Sequence, residues 1–492
     1  MGIVQRQGLR NTIIAYIGLG LGFVNTVLVL PNLLAADQIG LTRVLVSVAT
    51  IYAQLAAFGF ASTGIRFFPY FRNKAAGHQG FLPMLLGVPL LGFAVVTIIY
   101  VLGRPFLLAQ YERDAALLNP YYFWGAILAL FTLFYSLQDA YLKALYQTAF
   151  SSFVQDILLR VLTVVAALLF SLGYLTFHQF VLAFIGSYGL ATLLLALYVM
   201  YLGEWHLRPS KAALAVVPVR EVLSFSGFVI LSSLSGTIIG SIDSLMVGSS
   251  ISLAATGVYT TAFFISTALT IPARSLNKIA FPLLAEYWKA QDMPRMADFY
   301  RRTTRLNTVV GCWLALGIGL NLDFIYSLMR PEFAAGATSV LLLLAGRLFD
   351  SITGVNGLIL VTSPRYRFDL VFNVSLAVAT VLLNLLLIPL YGLTGAALAT
   401  LLAMTSINVA RTWFVWHAYG LQPFDFRIPL VLGIAVATGV AAWLVPSVHS
   451  IFITMLVRSV VLTGVYGGLL LLTRAVPEVS NLWQQVRRRL PF

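Results

Sequence analysis

Charged residues are scarce in this 492-residue chain. Only 17 residues are acidic and 31 are basic, so charged side chains make up 10% of the sequence while hydrophobic ones make up 60%. A soluble domain needs a polar shell around its core, and so few charges cannot cover a chain of this length. The composition therefore excludes a soluble globular protein and indicates one that functions within a lipid bilayer.

Cysteine and histidine are also scarce. The one cysteine, Cys312, lies in an apolar run, so neither a disulfide framework nor a CxxC metal site is available. The five histidines lie apart from one another, without HxxxH or HxxE spacing. No Walker sequence is present, which excludes ATP hydrolysis by this chain. The sequence thus predicts no enzyme, no cofactor and no metal site.

Apolar runs about long enough to cross a bilayer fill the chain instead. A crossing helix needs roughly 20 mostly apolar residues, and helices are required because lipid offers no partners for backbone groups. Barrel strands would be shorter and would alternate apolar with polar residues. The sequence predicts an all-α polytopic membrane protein with about 14 transmembrane helices, at 11–34, 39–64, 81–103, 120–145, 153–174, 177–202, 222–248, 254–283, 305–329, 334–362, 369–390, 393–418, 428–446 and 450–473.

Basic residues concentrate in every second connection between these runs. If the N-terminus is cytoplasmic, 24 of the 31 fall on the cytoplasmic side. By the positive-inside rule, both termini are predicted to be cytoplasmic. The net charge of +14 is thus a topology signal and not a sign of nucleic-acid binding, with contact to anionic lipid headgroups as a second interpretation. Four basic residues fall on the opposite side: Arg43, Arg104, Arg113 and Arg330.

A few charged residues lie inside the predicted spans, where each costs about 3 kcal/mol unless it has a partner or water. Arg347 and Asp350 share one face of the tenth span, as Asp156 and Arg160 do in the fifth. Such pairs either neutralise themselves and hold neighbouring helices together, or line a watered cavity between two halves in which an arginine binds a phosphate bidentately. The candidate substrate-binding residues are Arg160, Arg347, Asp350, Arg458 and Asp243.

Three glycines in the first span, Gly18, Gly20 and Gly22, resemble a nucleotide-binding loop only superficially. No strand precedes them, so the sequence predicts close packing against another helix instead.

The chain shows signs of an internal duplication. Gly40 begins the second span and Gly257 the eighth, and both spans end in a basic residue followed by proline. The separation of 217 residues matches six spans, so the two halves would share one orientation. The predicted domains are an N-terminal six-helix lobe at 1–202, a cytoplasmic linker at 203–221, a C-terminal six-helix lobe at 222–418, two additional transmembrane helices at 419–473 and a cytoplasmic amphipathic tail at 474–492.

One segment of the second half resembles a known family. Residues 384–397 read NLLLIPLYGLTGAA, which resembles the Asn-x-x-Leu-Ile-Pro-x-x-Gly-x-x-Gly-Ala-Ala segment of polysaccharide flippases. These flippases belong to the multidrug/oligosaccharidyl-lipid/polysaccharide (MOP) exporter superfamily. Residues 242–248 and 331–336 are also similar to that family.

The resemblance implies two six-helix lobes around a central cavity that opens alternately to each side. It implies a flippase of the bacterial inner membrane whose substrate is an undecaprenyl-diphosphate-linked oligosaccharide, as in the export of O-antigen for lipopolysaccharide. Its expected partners are membrane lipids and other polysaccharide-assembly proteins. The expected energy source is an ion gradient, of protons or sodium, rather than ATP.

Two alternatives remain open. One is a small-molecule drug exporter of the same superfamily, although ion-coupled exporters of that branch commonly use an acidic residue in the N-terminal lobe and the first span here has none. The other is a membrane-bound polysaccharide polymerase or ligase. The absence of a large external loop disfavours that enzyme.

Overall fold

The regular structure is helical throughout the described part of the chain. The computed structural model describes residues 3–74, 76–208, 218–447 and 450–478. By the packing of its backbone the chain divides into two compact units, Met1–Thr261 and Ala262–Phe492. The predicted division into lobes at 1–202 and 222–418 stays a prediction. The linker 203–221 and the tail 474–492 lie partly outside the described residues.

The first unit is built around a central helix, α3. This helix packs against α5, α8 and α12. Short π-helical turns at Val24–Val29 and Val154–Leu158 join α1 to α2 and α9 to α10. The helices are α1 (Ile3–Phe23), α2 (Leu30–Leu33), α3 (Ala36–Ala56), α4 (Phe60–Phe71), α5 (Phe81–Leu102), α6 (Arg104–Ala109), α7 (Ala115–Leu118), α8 (Tyr122–Ala144), α9 (Thr148–Phe153), α10 (Leu159–Ser171), α11 (Phe177–Tyr201), α12 (Val219–Ser250) and α13 (Leu253–Thr267), the last of which crosses the boundary between the units.

Two glycines of the predicted duplication meet in this unit. A Cβ atom at Gly40 would overlap the backbone oxygen of Leu253, and one at Gly257 would overlap the backbone oxygen of Ala36. Glycine is therefore needed at both positions, because α3 and α13 approach each other backbone to backbone. This close approach holds the start of α13 within the first unit.

The second unit has α17 at its centre, packed against α15 and α19. A second group joins α15, α20 and α21 around buried Cys312, Val431 and Tyr466. The helices are α14 (Thr270–Ala290), α15 (Met293–Gly319), α16 (Leu322–Ser327), α17 (Ala337–Thr353), α18 (Asn356–Thr362), α19 (Arg367–Tyr419), α20 (Arg427–Trp443) and α21 (Ile451–Thr473).

A break inside α19 coincides with the segment that resembles polysaccharide flippases. The helix has 53 residues, which at 1.5 Å per residue is about 80 Å and far exceeds one bilayer crossing. At Gly392 the backbone leaves the helical region, with φ 59° and ψ −133°. A Cβ atom at Gly395 would overlap the backbone oxygen of Leu387. The glycines of this segment thus form a tight turn between two halves of α19.

The described residues include ten helical segments that are long and apolar enough to cross a membrane, or eleven if the bent pair α13–α14 counts as one span. This confirms an all-α, multi-pass membrane protein. Three further predicted crossings correspond to α15, α20 and the second half of α19. Helix α15 is not among the ten because several arginines lower its hydropathy. Helix α20 is not among them because it has only 17 residues. The count of fourteen stays a prediction.

Candidate functional site

Arg160 lies at the start of α10, directly after the π-helical turn Val154–Leu158. Its Nη1 atom donates a hydrogen bond to the backbone oxygen of Gly18 in α1. No ion pair within the described residues involves Arg160, although Asp156 precedes it by four positions. Within the described residues the guanidinium thus has a carbonyl partner and no ion pair, while Asp156 interacts with it electrostatically.

Glycines in α1 make room for this contact. A Cβ atom at Gly22 would overlap the guanidinium of Arg160, and one at Gly18 would overlap the side chain of Asp156. A Cβ atom at Gly20 would have no neighbour within 4 Å among the described residues, apart from its own stretch of helix. The predicted close packing is therefore confirmed for Gly18 and Gly22 and is wrong for Gly20. A helix presents residues four apart on one face and residues two apart on different faces.

Arg43 is a second arginine of this region, and sequence reasoning missed it as a site residue. It lies two turns inside α3, within the predicted span 39–64. Its Nη2 atom lies 3.4 Å from the hydroxyl oxygen of Thr26, which is buried in the π-helical turn Val24–Val29. Arg43 is near enough to Arg160 for the two positive charges to interact. The first unit thus holds two neighbouring guanidinium groups, each beside a π-helical turn, a distortion frequent at functional sites.

Asp243 lies in α12 and is buried, with 5% of its surface exposed. Its carboxylate accepts a hydrogen bond of 2.8 Å from the hydroxyl of Tyr259 in α13. This contact ties α12 to α13 and satisfies one lone pair of the carboxylate. The geometry is that of a positioning contact between two helices of the first unit.

Arg347 lies in α17 of the second unit. Its Nε atom donates a hydrogen bond of 2.9 Å to the hydroxyl of Ser266, and its guanidinium lies 4.5 Å from the centre of the Phe263 ring. The aromatic face and the hydroxyl fix the orientation of the guanidinium plane.

Asp350 lies one turn further along α17 and its side chain is exposed. Its carboxylate accepts a hydrogen bond of 2.9 Å from the amide of Asn408 in α19. The Asn408 oxygen in turn accepts from Thr353 and Asn356, at 3.2 and 3.3 Å. This buried amide network connects α17, α18 and α19, and it gives Asp350 a fixed orientation.

Arg411 is the second site residue that the sequence analysis missed. It lies in α19, 3.5 Å from the carboxylate of Asp369, and it donates to the side-chain oxygen of Asn373 at 3.1 Å. Asp350 interacts electrostatically with both Arg411 and Arg347, and Arg411 has the stronger effect. Because Arg411 falls inside the predicted span 393–418, its depth was a signal that could have identified it.

Arg458 lies in α21. It lines a cavity of about 270 Å³ at one end of the second unit, together with residues of the α15–α16 turn, of α16 and of α21. None of the other four candidate residues lines this cavity. The described residues include no group of His, Cys, Asp and Glu side chains that could hold a metal ion.

The sequence of residues 5–288 matches a family described as polysaccharide biosynthesis protein, over more than half of the chain. The chain belongs to this polysaccharide biosynthesis family. No curated protein sequence matches it.

Solved structures give this polysaccharide biosynthesis protein the fold of the MOP superfamily. It is similar to the lipid II flippase MurJ in an inward closed conformation, with a TM-score of 0.75 at 11% identity over 94% of this chain and 98% of that one. It is also similar to an inward-facing multidrug resistance MATE family transporter of the MOP superfamily, with a TM-score of 0.63 at 14% identity over 83% and 94% of the two chains.

A third structure is a MOP superfamily transporter from Pyrococcus furiosus, described as having a binding pocket of reversed polarity. Its TM-score is 0.55, at 13% identity over 85% of this chain and 96% of that one. These three structures are described as a flippase and two transporters, and at 11–14% identity their likeness to this chain shows a shared fold.

Proposed function

We propose that this protein is a flippase that moves an undecaprenyl-diphosphate-linked oligosaccharide across the bacterial inner membrane by alternating access. The observation that supports this most directly is the placement of guanidinium groups inside apolar helices. Arg43 and Arg160 lie in the first unit, and Arg347 in the second. The family match and the fold shared with a lipid II flippase agree with a lipid-linked substrate.

The chemistry of the substrate matches these arginines. A diphosphate carries its charge on oxygens that a guanidinium fork binds bidentately. Neither the diphosphate nor the glycan can cross hydrocarbon unaided, because both lose their hydration there. The carbonyl of Gly18 orients Arg160, and the hydroxyl of Ser266 orients Arg347. Each guanidinium group is a candidate contact that would offset the lost hydration of the diphosphate, while the polyprenyl tail stays in lipid.

The remaining candidates support the arginines in this proposal. Asp350 is exposed and is oriented by Asn408, so it can accept hydrogen bonds from sugar hydroxyls. Asp243 positions α12 against α13 through Tyr259. The energy source that we expect is an ion gradient and not ATP, and the glycan is one destined for surface polysaccharide such as O-antigen.

The test is transport in reconstituted liposomes with a fluorescent diphosphate-linked oligosaccharide and no ATP. Arg160→Gln and Arg347→Leu should each slow movement between leaflets by about tenfold or more, since each removes one charge-assisted contact to the diphosphate. Arg295→Gln is the matched control, because that side chain is 76% exposed and pairs with Asp292 at the surface. Full activity of Arg347→Leu/Asp350→Leu would overturn the site assignment.

We also propose fourteen crossings with both termini cytoplasmic. Single cysteines at Glu112 and Tyr366, both exposed, can be introduced in a Cys312→Ser background. An impermeant maleimide added from outside should label the first position and spare the second, because the basic residues predict opposite sides for them. Labelling of the cysteine at Tyr366 would overturn this topology.

A further inference from the structure

A small cavity with polar and apolar side chains in its lining lies at one end of the second unit, between the α15–α16 turn, α16 and α21. Its volume is about 270 Å³, which is too small for a glycan chain and suits a compact headgroup. The distribution of basic residues predicts that this end faces the outer side of the membrane. The cavity is lined by Leu320, Asn321, Asp323, Phe324, Ser447, Ile451, Thr454, Met455 and Arg458.

Two opposite charges line this cavity without meeting each other. Among the described residues, neither Arg458 nor Asp323 forms an ion pair. Arg458 donates from Nη1 to the backbone oxygen of Leu320 at 3.3 Å, and its buried Nε atom has no hydrogen-bond partner within the described residues. A guanidinium in this state has donors left for an anion. The N-terminus of α21, capped by Ser450, adds the positive end of a helix dipole at Ile451.

The charge pattern selects among ligands. A purely anionic headgroup would bind Arg458 but would be repelled by Asp323. A purely cationic headgroup would bind Asp323 but would be repelled by Arg458. A zwitterion satisfies both charges at once. A primary ammonium can donate hydrogen bonds to the Asp323 carboxylate, whereas a trimethylammonium has no N–H to donate.

The surroundings suit a lipid. An exposed apolar stripe runs along α21 next to the cavity, through Phe452, Leu456 and Val460 at four-residue intervals. Trp443, at the end of α20, is 68% exposed, as is common for tryptophan at a membrane–water interface. The acyl chains of a lipid whose headgroup occupied the cavity would lie along this stripe.

We propose that this cavity is a binding site for the phosphoethanolamine headgroup of a phospholipid, with the phosphate on Arg458 and the ammonium on Asp323. This site is distinct from the arginines that we assign to the transported substrate. Its test measures lipid binding without transport, so the two proposals can fail separately.

The experiment titrates the purified full-length protein, stripped of lipid, and counts bound lipids by native mass spectrometry. The probes are phosphatidylethanolamine, phosphatidylcholine and phosphatidylglycerol, with free phosphoethanolamine as a competitor that lacks acyl chains. The wild type should prefer phosphatidylethanolamine over both other lipids. Arg330→Gln is the control, because Arg330 is exposed and does not line the cavity.

The two charge variants should separate the two contacts. Arg458→Gln should weaken phosphatidylethanolamine and phosphatidylglycerol alike, by about tenfold. Asp323→Asn, at an exposed position that leaves folding undisturbed, should abolish the preference for phosphatidylethanolamine over phosphatidylglycerol. Equal binding of the three lipids by the wild type, or an unchanged preference in Asp323→Asn, would overturn the proposal. Competition by free phosphoethanolamine as strong as by the lipid would overturn the assignment to a phospholipid.

Discussion

A methyl group at Gly22 should displace the guanidinium of Arg160. The Cβ atom of alanine at this position would overlap that guanidinium, which is the far end of a flexible side chain. The side chain can therefore move away, and the fold should survive. What is lost is the hydrogen bond from Arg160 to the carbonyl of Gly18. Gly20→Ala on the same helix is the matched control, since among the described residues a Cβ atom there would have no neighbour within 4 Å beyond its own stretch of helix.

The size of the effect follows from that one contact. Alanine gains up to about 1 kcal/mol over glycine within a helix, and this gain is common to Gly22→Ala and Gly20→Ala. A hydrogen bond from a charged group contributes about 1.5–3 kcal/mol. The free energies of unfolding of the two variants should therefore differ by about 1.5–3 kcal/mol, with Gly22→Ala the less stable.

Unfolding titrations in mixed micelles and transport in liposomes give the two measurements. Gly22→Ala should slow transport about as much as Arg160→Gln does, while Gly20→Ala should leave it unchanged. In an Arg160→Ala background the cost of Gly22→Ala should vanish, because the overlapping group is gone. Equal behaviour of Gly22→Ala and Gly20→Ala in both measurements would refute this account of Arg160.

Two further predictions concern charged contacts away from the proposed substrate site. Arg305→Met should lower the free energy of unfolding by about 3–5 kcal/mol, because buried Arg305 lies 2.8 Å from Asp425 and 2.5 Å from Glu478. The control Arg302→Met, at a side chain that is 60% exposed, should lower it by less than about 1 kcal/mol. Equal losses in unfolding titrations of the two variants would contradict this prediction. Burial raises the pKa of Glu204, but hydrogen bonds from His78 and Lys74 outweigh it and hold the pKa below its ordinary value of 4.5. The stabilisation by Glu204 is therefore complete above pH 4.5 and is lost as the pH falls through the lowered pKa. Glu204→Gln should flatten the dependence of the free energy of unfolding on pH in that acidic range. An unchanged dependence in this variant would show that Glu204 does not cause the loss of stability in acid.

The helical architecture follows from the sequence because lipid leaves the backbone few alternatives. Apolar runs become helices, and each of the predicted spans is helical in the described residues, either as one helix, as part of one, or as two or three consecutive helices. The break in α19 was also predictable, since Gly392 falls between two predicted spans and is flanked by Pro389 and Gly395. Whether α15 and α20 cross the membrane was less predictable from the sequence. The arginines of α15 lower its hydropathy, and α20 is shorter than a typical crossing helix.

The candidate site was only partly predictable. Periodicity shows that Arg160 and Arg347 lie within helices, but it does not say which groups they meet. The contact of Arg160 with Gly18 and that of Asp350 with Asn408 join residues far apart in the sequence. Arg43 and Arg411 were counted with the basic residues of the two membrane faces, although both fall inside predicted spans and the structure places both inside helices.

The central claim is that the transported molecule is a lipid-linked glycan. Liposomes that contain the purified protein can be given a fluorescent undecaprenyl-diphosphate-linked oligosaccharide in one set and a cationic dye in another, each with and without a proton or sodium gradient. The account predicts that the lipid-linked glycan reaches the opposite leaflet without ATP and that the dye is not moved. Export of the dye under a gradient, with the lipid-linked glycan left in its original leaflet, would contradict the account and indicate a drug exporter.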